Sequence, residues 1–161
     1  MATTINADIS TGGLIATGDS SGNLGLQSDG TTLATLSGSK VLFEAGISEE
    51  YVELTSSSNA TTVNLNSATN FSHTLSEDTT FTFSNAAVSG RVSAFGLKIV
   101  QDSSGSGHTI TWPSGSVYWA GGTAPTLTAT ASSVDQFVFY SHDAGTKWYG
   151  FVAGQNMAQP S

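Results

Sequence analysis

The sequence has no cysteine, and only four of its 161 residues are Lys or Arg. The first absence excludes disulfides and thiolate chemistry and removes the usual ligands of a structural zinc site. The second leaves too few cations to neutralise a run of phosphates, which excludes nucleic acid as a partner. It also leaves no basic patch for an anionic membrane surface. Long apolar runs are missing: none approaches the roughly 18 residues of a spanning helix. The opening MATTINADIS has neither a charged n-region nor an apolar h-region, so no secretory leader is expected. Charge of either sign is scarce at 10% of residues, against about 25% in an ordinary soluble domain. Glu, Lys and Arg carry surface helices, and their scarcity argues against a mostly helical fold.

What remains is acidic and rich in small polar residues. Twelve Asp and Glu give a formal charge of −8. Roughly three residues in ten are Ser or Thr, and 18 are Gly. Such a composition also suits disorder, but disordered chains lack aromatics. Here 3 Trp, 4 Tyr and 8 Phe fall in short alternating runs. The expectation is an all-β protein: an antiparallel β-sandwich or jelly-roll-like domain over residues 46–161, preceded by an extended N-terminal β-arm over residues 1–45.

The arm contains no Trp or Tyr and a single Phe, Phe43. Short apolar pieces recur about every nine residues: Leu14-Ile15-Ala16, Leu24-Gly25-Leu26, Leu33 to Leu36, and Val41-Leu42-Phe43. Clusters of Gly, Asp and Ser between them mark turns. Ordering backbone costs roughly 1–2 kcal/mol per residue. Burying a Leu contributes only about 1.5–3 kcal/mol. The segment therefore cannot hold a core of its own. It is either disordered or covered by other chains, and the regular Leu spacing favours cover. Candidate contact residues are Ile5, Ile9, Leu14, Leu24, Leu26, Leu33, Leu36, Leu42 and Phe43.

Beyond residue 50 the alternation strengthens. Strands are predicted at 51–54, 62–66, 71–75, 79–84, 91–101, 108–112, 116–119, 127–129, 134–141 and 147–153. A short helical turn is possible between Glu44 and Leu54. Apolar groups on both faces make Arg91 to Gln101 a central strand. The last two strands form a hairpin around His142-Asp143-Ala144-Gly145-Thr146. Trp148 and Tyr149, being adjacent, must face opposite sides of the sheet.

Catalytic patterns are poor. Gly18-Asp19-Ser20-Ser21-Gly22 matches the Gly-x-Ser-x-Gly string, but a nucleophile elbow needs a strand before it and a helix after it. His142 beside Asp143 sits in a turn. Asp102 to His108 reads as a flexible loop. His73, His108 and His142 lack metal-ligand spacing, and Asp-x-Asp-x-Asp does not occur. No catalytic residue, metal or cofactor is expected. The aromatics Trp112, Tyr118, Trp119, Trp148 and Tyr149 either fill a core or face outward. Trp119, Trp148 and Tyr149 are the candidates for an interface or a sugar-stacking face, with the interface favoured.

Several strings carry a resemblance. They are Gln101-Asp102-Ser103, Thr109-Ile110-Thr111-Trp112-Pro113, Trp119-Ala120-Gly121-Gly122, Pro125-Thr126-Leu127-Thr128, Asp135 and Trp148-Tyr149-Gly150-Phe151. Together, Gly96 to Met157 resembles a recurrent C-terminal module of tailed-phage structural proteins, notably of marine phages and cyanophages. The opening TINADISTGGLIATGDSSGNLGLQSDG is similar to the openings of phage fibre and head-decoration proteins. The resemblance implies a non-enzymatic virion protein made in the host cytoplasm and carried on the capsid exterior. Its expected role is decoration, or cement, as a homotrimer bound to the major capsid protein or other virion proteins. The alternative is a short tail or head fibre protein that binds a host surface glycan.

Overall fold

A computed structural model describes residues 23–28 and 30–158. The chain divides into two compact units, 1–48 and 49–161.

In the first unit, β1 (Leu24–Ser28), β2 (Thr31–Leu36) and β3 (Val41–Phe43) form an antiparallel sheet in the order β1-β2-β3. Gly30 adopts φ 72° in the first turn, a conformation that favours glycine. The second turn is closed by the Ser37 amide, which donates to the Lys40 carbonyl at 2.9 Å. The arm expected here is thus, over its described residues, a three-stranded meander. Ile5, Ile9, Leu14 and the piece Leu14-Ile15-Ala16 lie outside the described residues. No helical turn forms between Glu44 and Leu54; the chain is extended there, with a bend at Ala45.

The second unit begins with β4 (Tyr51–Leu54), β5 (Ala60–Asn64), β6 (Asn70–Thr74) and β7 (Thr79–Ser84). It continues with β8 (Ser93–Val100), β9 (Ile110–Thr111) and β10 (Val117–Tyr118). A single 3-10 turn at Ala120–Gly122 precedes β11 (Val134–Ser141) and β12 (Trp148–Met157). Leu127 to Ala129, expected as a strand, is irregular loop.

These strands make a six-stranded sheet, β10-β12-β11-β8-β6-β4, and a three-stranded sheet, β5-β7-β9. The chain is all-β, as expected, but the antiparallel expectation holds only in part. Among the described strands, antiparallel pairs are those of β1-β2-β3, β8/β11 and β11/β12. The pairs β4/β6, β6/β8, β5/β7, β7/β9 and β10/β12 are parallel. From β4 to β9 successive strands alternate between the two sheets, and each lies parallel to the strand two places earlier. The chain therefore winds as a coil. The reason is geometric: the short links 55–59, 65–69 and 75–78 cross between sheets instead of folding back within one.

Inward-facing residues of both sheets meet in one core. Val63 and Phe81 come from the smaller sheet, and Phe71, Phe95, Leu97, Ile99, Phe137, Phe139 and Trp148 from the larger. Period-2 alternation puts these on one face of each strand. The larger sheet's other face is outward, and β8 is central in it, between β6 and β11, as its two apolar faces suggested.

Candidate binding surface

Four aspartates are engaged as loop clasps. Asp102 accepts hydrogen bonds from Ser104, from the Ser106 amide at 2.9 Å and from the Ser106 hydroxyl at 3.2 Å. Asp143 takes the Lys147 amide at 2.9 Å and the Ser141 hydroxyl at 3.0 Å, which closes the β11–β12 turn. Asp78 takes the amide and hydroxyl of Thr109 at 2.8 and 3.1 Å. Asp135 is buried and receives the Thr128 amide and hydroxyl, the Asn156 amide and the Gln155 side chain.

All four carboxyls are held below the ordinary carboxylate range. Hydrogen bonds cause it at Asp78, chiefly from the Thr109 amide, at Asp102, chiefly from Ser104, and at Asp143, chiefly from the Lys147 amide. At Asp135 burial pushes the other way, and the combined hydrogen bonds outweigh it. These carboxylates hold loops; none faces an open cleft with a nucleophile beside it.

The histidines are equally dispersed. His142 is exposed. His108 lies 3.8 Å from Asp78. His73 is buried, and its Nδ1 lies 2.8 Å from the Leu54 carbonyl, so Nδ1 carries the proton and donates. Among the described residues no group of three His, Asp or Glu is placed to hold a metal ion. Ser20 lies outside the described residues.

A cavity of about 280 Å3 opens between the 101–110 and 125–129 segments, lined by His108, Trp112 and Leu127. Its buried polar group, Gln101, is already engaged. The side-chain amide donates to the His108 carbonyl at 3.1 Å, and its oxygen accepts from the amides of Asp102 and His108. That amide is thus spent on holding the loop.

The outward face of the six-stranded sheet differs. Tyr118, Tyr149 and Tyr140 stand in register on β10, β12 and β11, forming one row across three strands. The rings of Tyr118 and Tyr149 are 6.0 Å apart, as are those of Tyr140 and Phe151. Lys147 Nζ stands 5.9 Å from the centre of the Tyr118 ring, within cation–π range. The next row runs Phe151, Val138, Gly96, Asn70, Tyr51 from β12 to β4. On its far side a cleft of about 200 Å3 is lined by Tyr51, Asn70, Ser72, Lys98 and Gln136.

The aromatic candidates separate accordingly. Tyr149 is 44% exposed and belongs to this face. Trp148, its neighbour, is 2% exposed and packs on Phe95 and Phe83, so it is a core residue and leaves the candidate set. Trp119 is half-buried, its ring set against Trp112, Phe137 and Phe139. Trp112 is buried. Tyr140, Phe151 and Tyr51 were not singled out from sequence. The first two were within reach, since they continue the period-2 spacing outward from buried Phe139 and Trp148.

In the first unit, Leu24, Leu26, Leu33, Leu42 and Phe43 are exposed and Leu36 is half-buried, while Ala34 is buried. No known protein family, curated protein or solved structure matches the chain.

Proposed function

We propose that this chain is a virion structural protein of the capsid-decoration type, a homotrimer on the capsid exterior that stabilises the assembled shell by non-covalent contacts. The observation that carries the reading is the three-stranded sheet of the first unit. It leaves Leu24, Leu26, Leu33, Val41, Leu42 and Phe43 exposed in the single chain, and Phe43 is 57% exposed. Apolar side chains grouped on so small a sheet mark a surface for protein partners. The larger unit is, in this reading, a β-sandwich relative, projected outward.

The mechanism is adhesive. Contacts that exist only on the assembled lattice stabilise that lattice by linkage. A trimer multiplies weak contacts through effective concentration. The scarcity of charge suits surfaces meant for other chains.

The test is light scattering of the full chain, with co-sedimentation on mature capsids. Trimers that bind capsids, and a Leu42→Ser, Phe43→Ser variant that loses both properties, are expected. A monomer whose first 45 residues resist protease would overturn the oligomer.

A further inference from the structure

We propose that the outward face of the six-stranded sheet binds a neutral polysaccharide. Sugar rings would stack on the Tyr118, Tyr149, Tyr140 and Phe151 platform, and hydroxyls would enter the cleft around Gly96. This goes beyond attachment to a shell and stands on a surface of the second unit alone.

Three observations converge. The first is the platform. Four aromatic rings stand on adjacent strands of one sheet face, and Tyr118, Tyr140, Tyr149 and Phe151 are all at least 40% exposed. Three of the four carry hydroxyls. Such rings offer an apolar body to the C–H face of a pyranose and a polar tip to its hydroxyls. Tyr118 and Tyr149 are tilted by 42° and Tyr140 meets Phe151 edge-on at 80°, so the rings form a stepped surface on which sugar units would stack on single rings.

The second is the cleft beside it. Lys98 and Gln136 are aimed into it and make no side-chain hydrogen bond or ion pair among the described residues. Asn70 donates to Glu49 at 2.8 Å, which holds its amide in place and turns its oxygen toward Gly96. The Lys98 ammonium, the Gln136 amide and the Asn70 oxygen therefore gather at one edge of the aromatic platform, a mixed donor and acceptor set of the kind a polyol needs.

The third is Gly96, the floor between platform and cleft. Its φ is ordinary, so conformation does not require glycine there. A Cβ would stand 3.0 Å from Asn70 Oδ1 and 3.7 Å from Gln136 Nε2. The missing side chain keeps the two amides uncovered and the trough continuous.

Charge selects among saccharides. The chain carries −8, and Glu53 shares this face, in register with Ser72 at the cleft. Lys98 in the cleft and Lys147 over Tyr118 offset Glu53 and the Glu49 that holds Asn70, so the face carries no excess of either sign and suits a neutral polymer.

The test is native affinity electrophoresis of the full chain in gels containing dextran, laminarin, hydroxyethyl cellulose or glucomannan, with polygalacturonate as the charged comparator. At least one neutral polymer is expected to retard the chain. Tyr149→Ala and Gly96→Ala should each weaken that retardation roughly tenfold, the equivalent of about 1.4 kcal/mol. Lys98→Met is expected to weaken it while leaving the thermal midpoint unchanged, which separates binding from folding. Retardation by none of the neutral polymers overturns the proposal. So does retardation by polygalacturonate alone, or retardation that all three variants retain. Sedimentation velocity supplies the other overturning outcome. If Tyr149→Ala dissolves a self-associated species, a second copy covers this face.

Discussion

Phe95 and Phe139 stack face to face where β8 and β11 pair, their centroids 4.9 Å apart and their planes 18° from parallel. The rings around them meet them tilted or edge-on: Phe83 and Trp148 against Phe95, Trp112 and Trp119 against Phe139. Aromatic pairs of these geometries add about 0.5–1.5 kcal/mol each beyond the area they bury. Phe139→Ala is therefore expected to lower the unfolding free energy of the second unit by about 3–5 kcal/mol. Urea denaturation followed by tryptophan fluorescence measures this. A loss below about 1 kcal/mol would mean that the ring cluster is not the core's keystone.

Gly150 lies beneath the indole of Trp119. A Cβ at Gly150 would come within 2.6 Å of Trp119 Cζ3, and its φ is not left-handed, so space alone dictates the residue. Gly150→Ala should displace the indole, shift tryptophan emission to the red and cost about 1–3 kcal/mol. Trp119→Ala added to that variant should cost less than Trp119→Ala alone, because the two changes share one contact. Additive costs would contradict the packing described.

Acid should unfold the second unit through its aspartates. Asp78, Asp102, Asp135 and Asp143 all titrate lower in the folded chain than the roughly 3.9 of a free aspartate. Such groups contribute stability that is complete above the unfolded pKa and is lost as pH falls through the folded values. The melting temperature should thus be insensitive to these groups from pH 7 to about 5 and fall below about pH 4. Asp135→Asn should cost about 1–3 kcal/mol at neutral pH and make the acid limb shallower. Melting curves across pH for both chains check the two expectations together.

The core cluster of the second unit is drawn from residues 49–161 alone. A chain reduced to residues 49–161 is expected to melt in one cooperative transition close to that of the full chain. Residues 1–48 alone should show no cooperative melt, since Ala34 is the buried apolar residue of their described sheet. Calorimetry of both fragments decides it.

The strands Tyr51–Leu54, Thr79–Ser84 and Val134–Ser141 were legible residue for residue: Phe81 and Phe83 alternate with Thr and Ser, and the other two are short runs rich in Val and aromatic residues between turn signals. Pairing direction was not. A half-buried strand alternates identically in parallel and antiparallel neighbours, and a five-residue polar link suits a hairpin as well as a crossing. Trp148 and Tyr149 were known to oppose each other, but which ring faced inward depended on the register with Val117 and Tyr118. The cleft was the least legible feature. Asn70, Lys98 and Gln136 come from three strands far apart in sequence, and only the register of β6, β8 and β11 brings them together. Leu127 to Ala129 alternates like a strand, yet its middle residue, Thr128, is held by the Asp135 carboxylate instead of a ladder.

The coil also sets an order of assembly during synthesis. From β6 to β9 each strand pairs with one already made two places earlier, so winding can keep pace with the ribosome. β10 breaks that rule. It is made before β11 and β12, and among the described strands it pairs with β12, two strands later. Tyr118 must wait for Tyr149 before the tyrosine row exists. A nascent chain stopped short of β12 would hold its windings and still lack the aromatic platform. The tyrosine row is thus a mark that synthesis has passed β12, and a chain that has not reached that strand does not show it.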